Sequence, residues 1–270
     1  MSPTIVTVFR IRKRHLAALA ALVFLSFFLA RLIEDRSTRQ AVEVMAPALA
    51  SRVIVVDPGH GGIDPGVVGK DGLLEKDITL TVGKRLAANL GQAGAMVLLT
   101  RETDTDLSDS TTLGAAAKKR EDLQRRVALA NDNQADLYVS IHVNSFASPD
   151  RRGAQTFVQP GKEDSLKASR YIQAELARLL RNTTRQPAEV DYYVTKNTAM
   201  PAVVVEIGFL TNDAEAKLLG EPAYQGKVAW AIYAGLVKYF NEQGPPARET
   251  TDREEIIKTF KENATRSLKP

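Results

Sequence analysis

Apolar positions along this chain follow two periods. Consecutive β-branched and aliphatic residues at 53–57 (VIVVD), 136–143 and 202–207 (AVVVEI) predict strands buried on both faces. Between them the period changes to that of a helix. A helix from Lys76 to Gly91 carries Ile78, Val82, Leu86 and Leu90 at i+4 spacing, and Gly91 and Gly94 stop it. A second, Lys118 to Asn131, turns Leu123, Val127 and Ala130 inward, and a third, Asp164 to Arg181, presents Ile172, Leu176, Leu179 and Leu180. Further strands are predicted for AMVLLT up to Thr100, for AQTFVQ at 154–159 and around Tyr192 to Thr195, with closing helices at 213–219 and 222–240. This alternation predicts an α/β fold: one three-layer domain over 52–241, a mostly parallel, mixed sheet of about six strands flanked by helices.

The first residues follow neither pattern. Arg10, Arg12, Lys13 and Arg14 precede an unbroken apolar stretch from Leu16 to Ala30, an export pattern that keeps the basic cluster in the cytoplasm and sends the rest of the chain outside. Phe28-Leu29-Ala30 is a poor cleavage site, and Ala48-Leu49-Ala50 lies far from the apolar stretch. Residues 1–36 therefore read as an uncleaved signal-anchor in the membrane, with Arg31 reaching toward the interface, and 37–51 as a linker of mixed charge. The tail at 242–270 is highly charged past Pro245 and Pro246.

Composition narrows the chemistry. The chain has 270 residues, a net charge of +4 and acidic and basic groups interspersed, an ordinary solvated surface that gives no basis for a nucleic-acid partner. It has no cysteine, so any transition metal must be held by His and carboxylate.

Three of the apolar strands end where folding alone would not place polar groups. His60 follows the first, in a glycine-rich GHGG turn; His142 lies in the second, on the face shared by Tyr138, Ser140 and Asn144; Glu206 interrupts the third, between Val205 and Ile207. A polar face on a strand is expected either at an exposed sheet edge or along a cavity. Buried, ionised and unpaired, Glu206 would cost several kcal/mol, which a nearby dication offsets. Glu75 has a plainer alternative, because acidic residues favour a first helical turn. In a parallel sheet the ligand crevice lies at the carboxyl ends of the strands, so these residues support a His2Glu metal site on an α/β hydrolase. Asn144 is a candidate for holding ligand or substrate.

The strings VDPGHGGIDPG, LLEKDI, SIHVNSF and VVVEIGFLTN resemble, in order, the signature segments of the type 3 zinc-dependent N-acetylmuramoyl-L-alanine amidases. TRETDTDL, KKREDLQRRV, RGAQTFVQP and AIYAGLVKYF look most like the germination-specific branch that acts on spore cortex. The resemblance spans Val53 to Phe240. It implies one zinc ion held by His60, Glu75 and His142, with Glu206 as catalytic base. It also implies hydrolysis of the amide between N-acetylmuramic acid and L-alanine, stripping stem peptides from peptidoglycan glycan strands as the first step toward muramic-δ-lactam. A lipoprotein activator and a location in the spore intermembrane space come with that branch. Asn144 to Gly153 is too short for the regulatory helix that many division amidases insert there. Three other readings are a general cell-wall amidase, a zinc peptidase trimming the stem peptide and a noncatalytic wall-binding homologue.

Overall fold

The computed structural model describes residues 13–244; Arg10, Arg12 and the tail from residue 245 lie outside the described residues. The chain falls into two compact units that divide between Val44 and Met45.

The first unit is helical. Helix α1 (Lys13–Met45) exposes Leu19, Leu22, Phe24 and Phe28, and the Arg31 guanidinium lies 4.9 Å from the Phe27 ring centre. At 1.5 Å per residue its 33 residues span about 50 Å, and it is the one helix among the described residues long and apolar enough to cross a membrane. The expected linker is helical as far as Met45, and a 3-10 turn at Ala46–Leu49 follows.

The second unit begins by burying Leu49 of that turn. Its elements are β1 (Val53–Pro58), α2 (Glu75–Gln92), β2 (Met96–Leu99), α3 (Ala115–Asp132), β3 (Leu137–Asn144), β4 (Gln155–Val158), α4 (Glu163–Leu180), β5 (Ala188–Glu189), α5 (Tyr193–Asn197), β6 (Ala202–Phe209), α6 (Asp213–Leu219) and α7 (Pro222–Gln243). The six strands form one sheet in the order β2-β1-β3-β6-β4-β5. β2, β1, β3 and β6 run parallel, and β4 pairs antiparallel to β6 and parallel to β5, giving the mixed sheet that strand and helix periodicity predicts.

Topology fixes where a ligand can sit. From β1 the chain moves outward through α2 to β2, then returns through α3 to β3 on the other side of β1. Because crossovers are right-handed, opposite directions of travel put α2 and α3 on opposite faces. The strand order reverses between β1 and β3, and the crevice opens at the carboxyl ends of those two strands.

The two faces are packed differently. Val53 and Val55 of β1, Tyr138 of β3 and Val204 of β6 join Val127 and Ala130 of α3 and Val194 of α5 in one buried cluster. On the opposite face α7 packs against both α2 and α4. Glycine allows close approaches on this face: a Cβ at Gly83 of α2 would lie 2.7 Å from Pro58 Cγ of β1, and one at Gly235 of α7 would lie 2.6 Å from Ile172 Cα of α4.

One more expectation changes, and one alternative falls. The strand expected around Tyr192 to Thr195 is a short helix, and the strand pairing falls earlier, at Ala188–Glu189. Asn197 Nδ2 donates to Tyr193 O (2.7 Å) and Thr198 Oγ1 to Val194 O (3.0 Å), local bonds that favour a helical turn over a ladder. The exposed-edge explanation for the polar face of β3 also fails, because β3 lies between β1 and β6.

Candidate metal centre

Alternation along three neighbouring strands brings one row of side chains to the same face. β1 and β3 register Asp57 with Ser140, and β3 and β6 register His142 with Glu206. Since Val55, Tyr138 and Val204 lie on the α3 face, so do Asp57, Ser140, His142 and Glu206 two or four residues on.

The loop leaving β1 is held in an uncommon shape. His60 has φ +62°, in the left-handed region that costs a non-glycine residue energy and that persists only when its surroundings fix it. Three successive carbonyls are captured: Arg101 Nε donates to Pro58 O (2.9 Å), Arg101 Nη2 to Gly59 O (3.0 Å) and Arg126 Nη2 to His60 O (2.8 Å). Gly59 must lack a side chain, because its Cβ would collide with the His142 ring.

Glu75, the first residue of α2, is the hub. Its Oε1 accepts from Val143 N (2.8 Å) and lies 3.2 Å from His60 Nε2 and 3.1 Å from His142 Nδ1; its Oε2 accepts from Val67 N (2.8 Å). One donor atom from each of His60, Glu75 and His142 falls within 4.8 Å of the others, and the two rings meet edge-on with centres 4.9 Å apart. Two imidazoles and one carboxylate converging in this way fit a borderline dication such as zinc.

Sequence reading missed the groups around this centre. His60 Nδ1 lies 3.0 Å from Asp64 Oδ2, a carboxylate that also meets Lys119 Nζ at 3.1 Å. Asp64 stands at i+4 from His60 within the string GHGGID, which is the signal that could have found it. A carboxylate on the outer nitrogen of a ligating imidazole fixes its tautomer and orientation.

Electrostatics separates the two inner glutamates. Burial alone would raise the Glu75 carboxyl, yet hydrogen bonds and charge from His142 and His60 hold it well below the usual range. Glu206 rises from 4.5 to about 7, because burial outweighs the favourable His142 charge and Glu75 adds repulsion. The Glu206 Oε2 atom is buried with no hydrogen-bond partner, as expected of an oxygen reserved for a group outside the fold. Burial lowers the His142 pKa, but Glu75 and Glu206 outweigh it and the net direction is upward.

A cavity of about 260 Å³ opens beside these residues, lined by His60, His142 and Glu206 and by the apolar surfaces of Leu123, Tyr192 and Val204. Asn144 lines a second pocket that shares His60, His142 and Glu206 with this cavity, and its Oδ1 accepts from Ser145 N (2.8 Å). Residues 145–154, joining β3 to β4, contain no helix, in keeping with the expected lack of a regulatory insertion.

Known proteins share this chain's sequence pattern and fold. The family described as N-acetylmuramoyl-L-alanine amidase (Amidase_3) matches residues 54–238. The germination-specific N-acetylmuramoyl-L-alanine amidase of Bacillus subtilis (strain 168) is 47% identical over 199 residues, covering 73% of this chain and 84% of that protein. The CwlD amidase from Clostridioides difficile, solved in complex with the GerS lipoprotein, superposes with a TM-score of 0.69 at 40% identity, covering 70% of this chain and 98% of that one. The catalytic domain of CwlV, an amidase from Bacillus (Paenibacillus) polymyxa var. colistinus, gives 0.61 at 31% identity over 70% of this chain and 97% of that domain. With the family's domain matched from β1 into α7, and a germination-specific enzyme 47% identical over 199 residues, this chain belongs to the N-acetylmuramoyl-L-alanine amidases.

Proposed function

We propose that His60, Glu75 and His142 hold one zinc ion and that Glu206 moves the proton in hydrolysis of the amide between N-acetylmuramic acid and L-alanine of spore-cortex peptidoglycan. The observation that carries this reading is the half-buried Glu206, in register with His142 at the carboxyl end of the sheet, whose Oε2 is buried without a hydrogen-bond partner. A bound zinc supplies Lewis-acid chemistry, polarising the amide carbonyl and making water acidic enough to attack near neutral pH.

The chain's own groups do the rest. Val143 N and Val67 N fix both oxygens of Glu75, and Asp64 orients His60. The Glu206 carboxylate, facing the cavity beside His142, can take a proton from attacking water and return it to the departing L-alanine amine. Leu123, Tyr192 and Val204 keep bulk water from the reacting atoms, and Asn144, in the pocket that shares His60, His142 and Glu206, contacts the substrate. The product, muramic acid bare of its stem peptide, suits later closure to muramic-δ-lactam.

The similarity to a germination-specific enzyme supports the cortex as substrate, and the CwlD complex supports a lipoprotein partner. The apolar α1 supports a membrane anchor that leaves the catalytic unit, residues 52–241, outside the cytoplasm. Zinc-loaded protein digesting cortex peptidoglycan tests the reading: mass spectrometry should find intact stem peptides and unsubstituted muramic acid. Cleavage within the peptide would replace the amidase reading with a peptidase, and an undigested wall with a noncatalytic homologue.

A further inference from the structure

Beneath the metal centre lies a buried ion pair that no step of the reaction uses. Arg126 of α3 is 2% exposed and Asp57 of β1 is 1% exposed, and Arg126 Nη1 meets Asp57 Oδ1 at 2.6 Å. The two ends of the pair reach the two segments that carry the histidines, Arg126 the loop of His60 and Asp57 the strand of His142. Arg126 donates from Nη2 to His60 O (2.8 Å) and from Nη1 to Pro58 O (2.9 Å), holding the loop that keeps His60 at positive φ. Asp57 Oδ2 accepts from Tyr138 Oη (2.5 Å) and Ser140 Oγ (2.6 Å), which stand four and two residues before His142 on the same face of β3. Thr100 Oγ1 donates to Asp57 Oδ1 at 2.7 Å, and Asp122 Oδ2 accepts from Arg126 Nε at 2.7 Å, so neither charge can swing away.

From this geometry we infer that Arg126 and Asp57 are positioning residues: a single brace that sets the separation of His60 and His142, and so the affinity and coordination geometry of the metal. A stability role alone would not require it to tie the His60 loop to the strand that carries His142. A buried arginine paired to a carboxylate is replaceable by apolar packing at little cost to stability, and no apolar residue could supply the fork that reaches His60 O, Pro58 O and Asp57 at once. The inference rests on the proposed zinc site.

The test is zinc affinity by competition with a chromophoric chelator, together with the visible spectrum of the Co(II)-substituted protein. Arg126→Lys keeps the charge but not the fork. It should bind zinc about tenfold to a hundredfold more weakly and alter the Co(II) spectrum, the range seen when outer-shell partners of a metal are removed. Glu175→Gln is the control: Glu175 is equally buried and paired, with Arg178 at 2.8 Å and Lys238 at 2.6 Å, but lies outside the site. It should lower the melting temperature and leave zinc affinity unchanged. Wild-type affinity and spectrum in Arg126→Lys would overturn the inference, as would an equal loss of affinity in Glu175→Gln. If Arg126→Lys yields no folded protein, Ser140→Ala decides, with several-fold weaker zinc binding expected and unchanged binding contradicting the brace. Failure of the wild-type protein to bind zinc would instead remove the zinc site itself.

Discussion

His142 and Glu206 are register partners across the ladder of β3 and β6, so the backbone itself sets the spacing of the imidazole and the unpaired carboxylate. The position is unfavourable for folding. Glu206 has a carboxyl pKa raised from 4.5 to about 7, so the folded state prefers it protonated. Its ionisation therefore costs stability progressively as pH rises from about 4.5 to about 7, by up to about 3 kcal/mol above that.

Glu206→Gln should consequently stabilise the chelator-treated protein. The melting temperature of the variant should exceed that of wild type at pH 8, and the two should converge at pH 4. A variant less stable than wild type at pH 8 would show that the carboxylate has a favourable partner.

Asp57 titrates in the opposite direction. Burial raises its pKa, but the Arg126 charge and the hydroxyls of Ser140, Tyr138 and Thr100 bring it far below the usual range. Its contribution is present above about pH 4 and lost as pH falls. Asp57→Asn should destabilise by about 3–5 kcal/mol at pH 7, with the gap to wild type narrowing in acid-unfolding curves. A constant gap would refute the charged assignment.

These two residues also mark what pattern reading can reach. The strands carrying His142 and Glu206 were legible because a strand covered on both faces should be apolar throughout, and each breaks that rule at one end. Arg126 was not legible. It follows Asp122 at i+4 on a helix rich in charge, a spacing that reads as a solvated surface pair, and only the packing of α3 over the sheet shows it buried beside Val127. Tyr192 to Thr195 misled for the reverse reason: aromatic and β-branched residues favour strands, but side-chain bonds to local carbonyls closed the turn. The mixed charges at 37–51 suggested a linker, while the good helix formers among them, Arg39, Gln40, Ala41, Glu43 and Met45, let α1 continue to Met45.

Gly59→Ala should lose the metal without losing the fold. The added methyl meets the His142 ring, so the imidazole must turn away, at an overpacking cost of about 1–3 kcal/mol. Zinc content should drop while the circular dichroism spectrum stays that of wild type; full zinc occupancy would contradict the close approach.

Asp64→Asn should weaken zinc binding about tenfold to a hundredfold by removing the carboxylate 3.0 Å from His60 Nδ1. Chelator competition reads the effect directly. Unchanged affinity would mean that the surrounding loop orients His60 without Asp64.

Zinc content measured alongside stem-peptide release in Glu206→Gln tests the division of labour at the centre of this account. The predicted result is one zinc per chain with release slowed by at least about a hundredfold. Loss of zinc would place Glu206 among the ligands, and wild-type turnover would take it off the proton path.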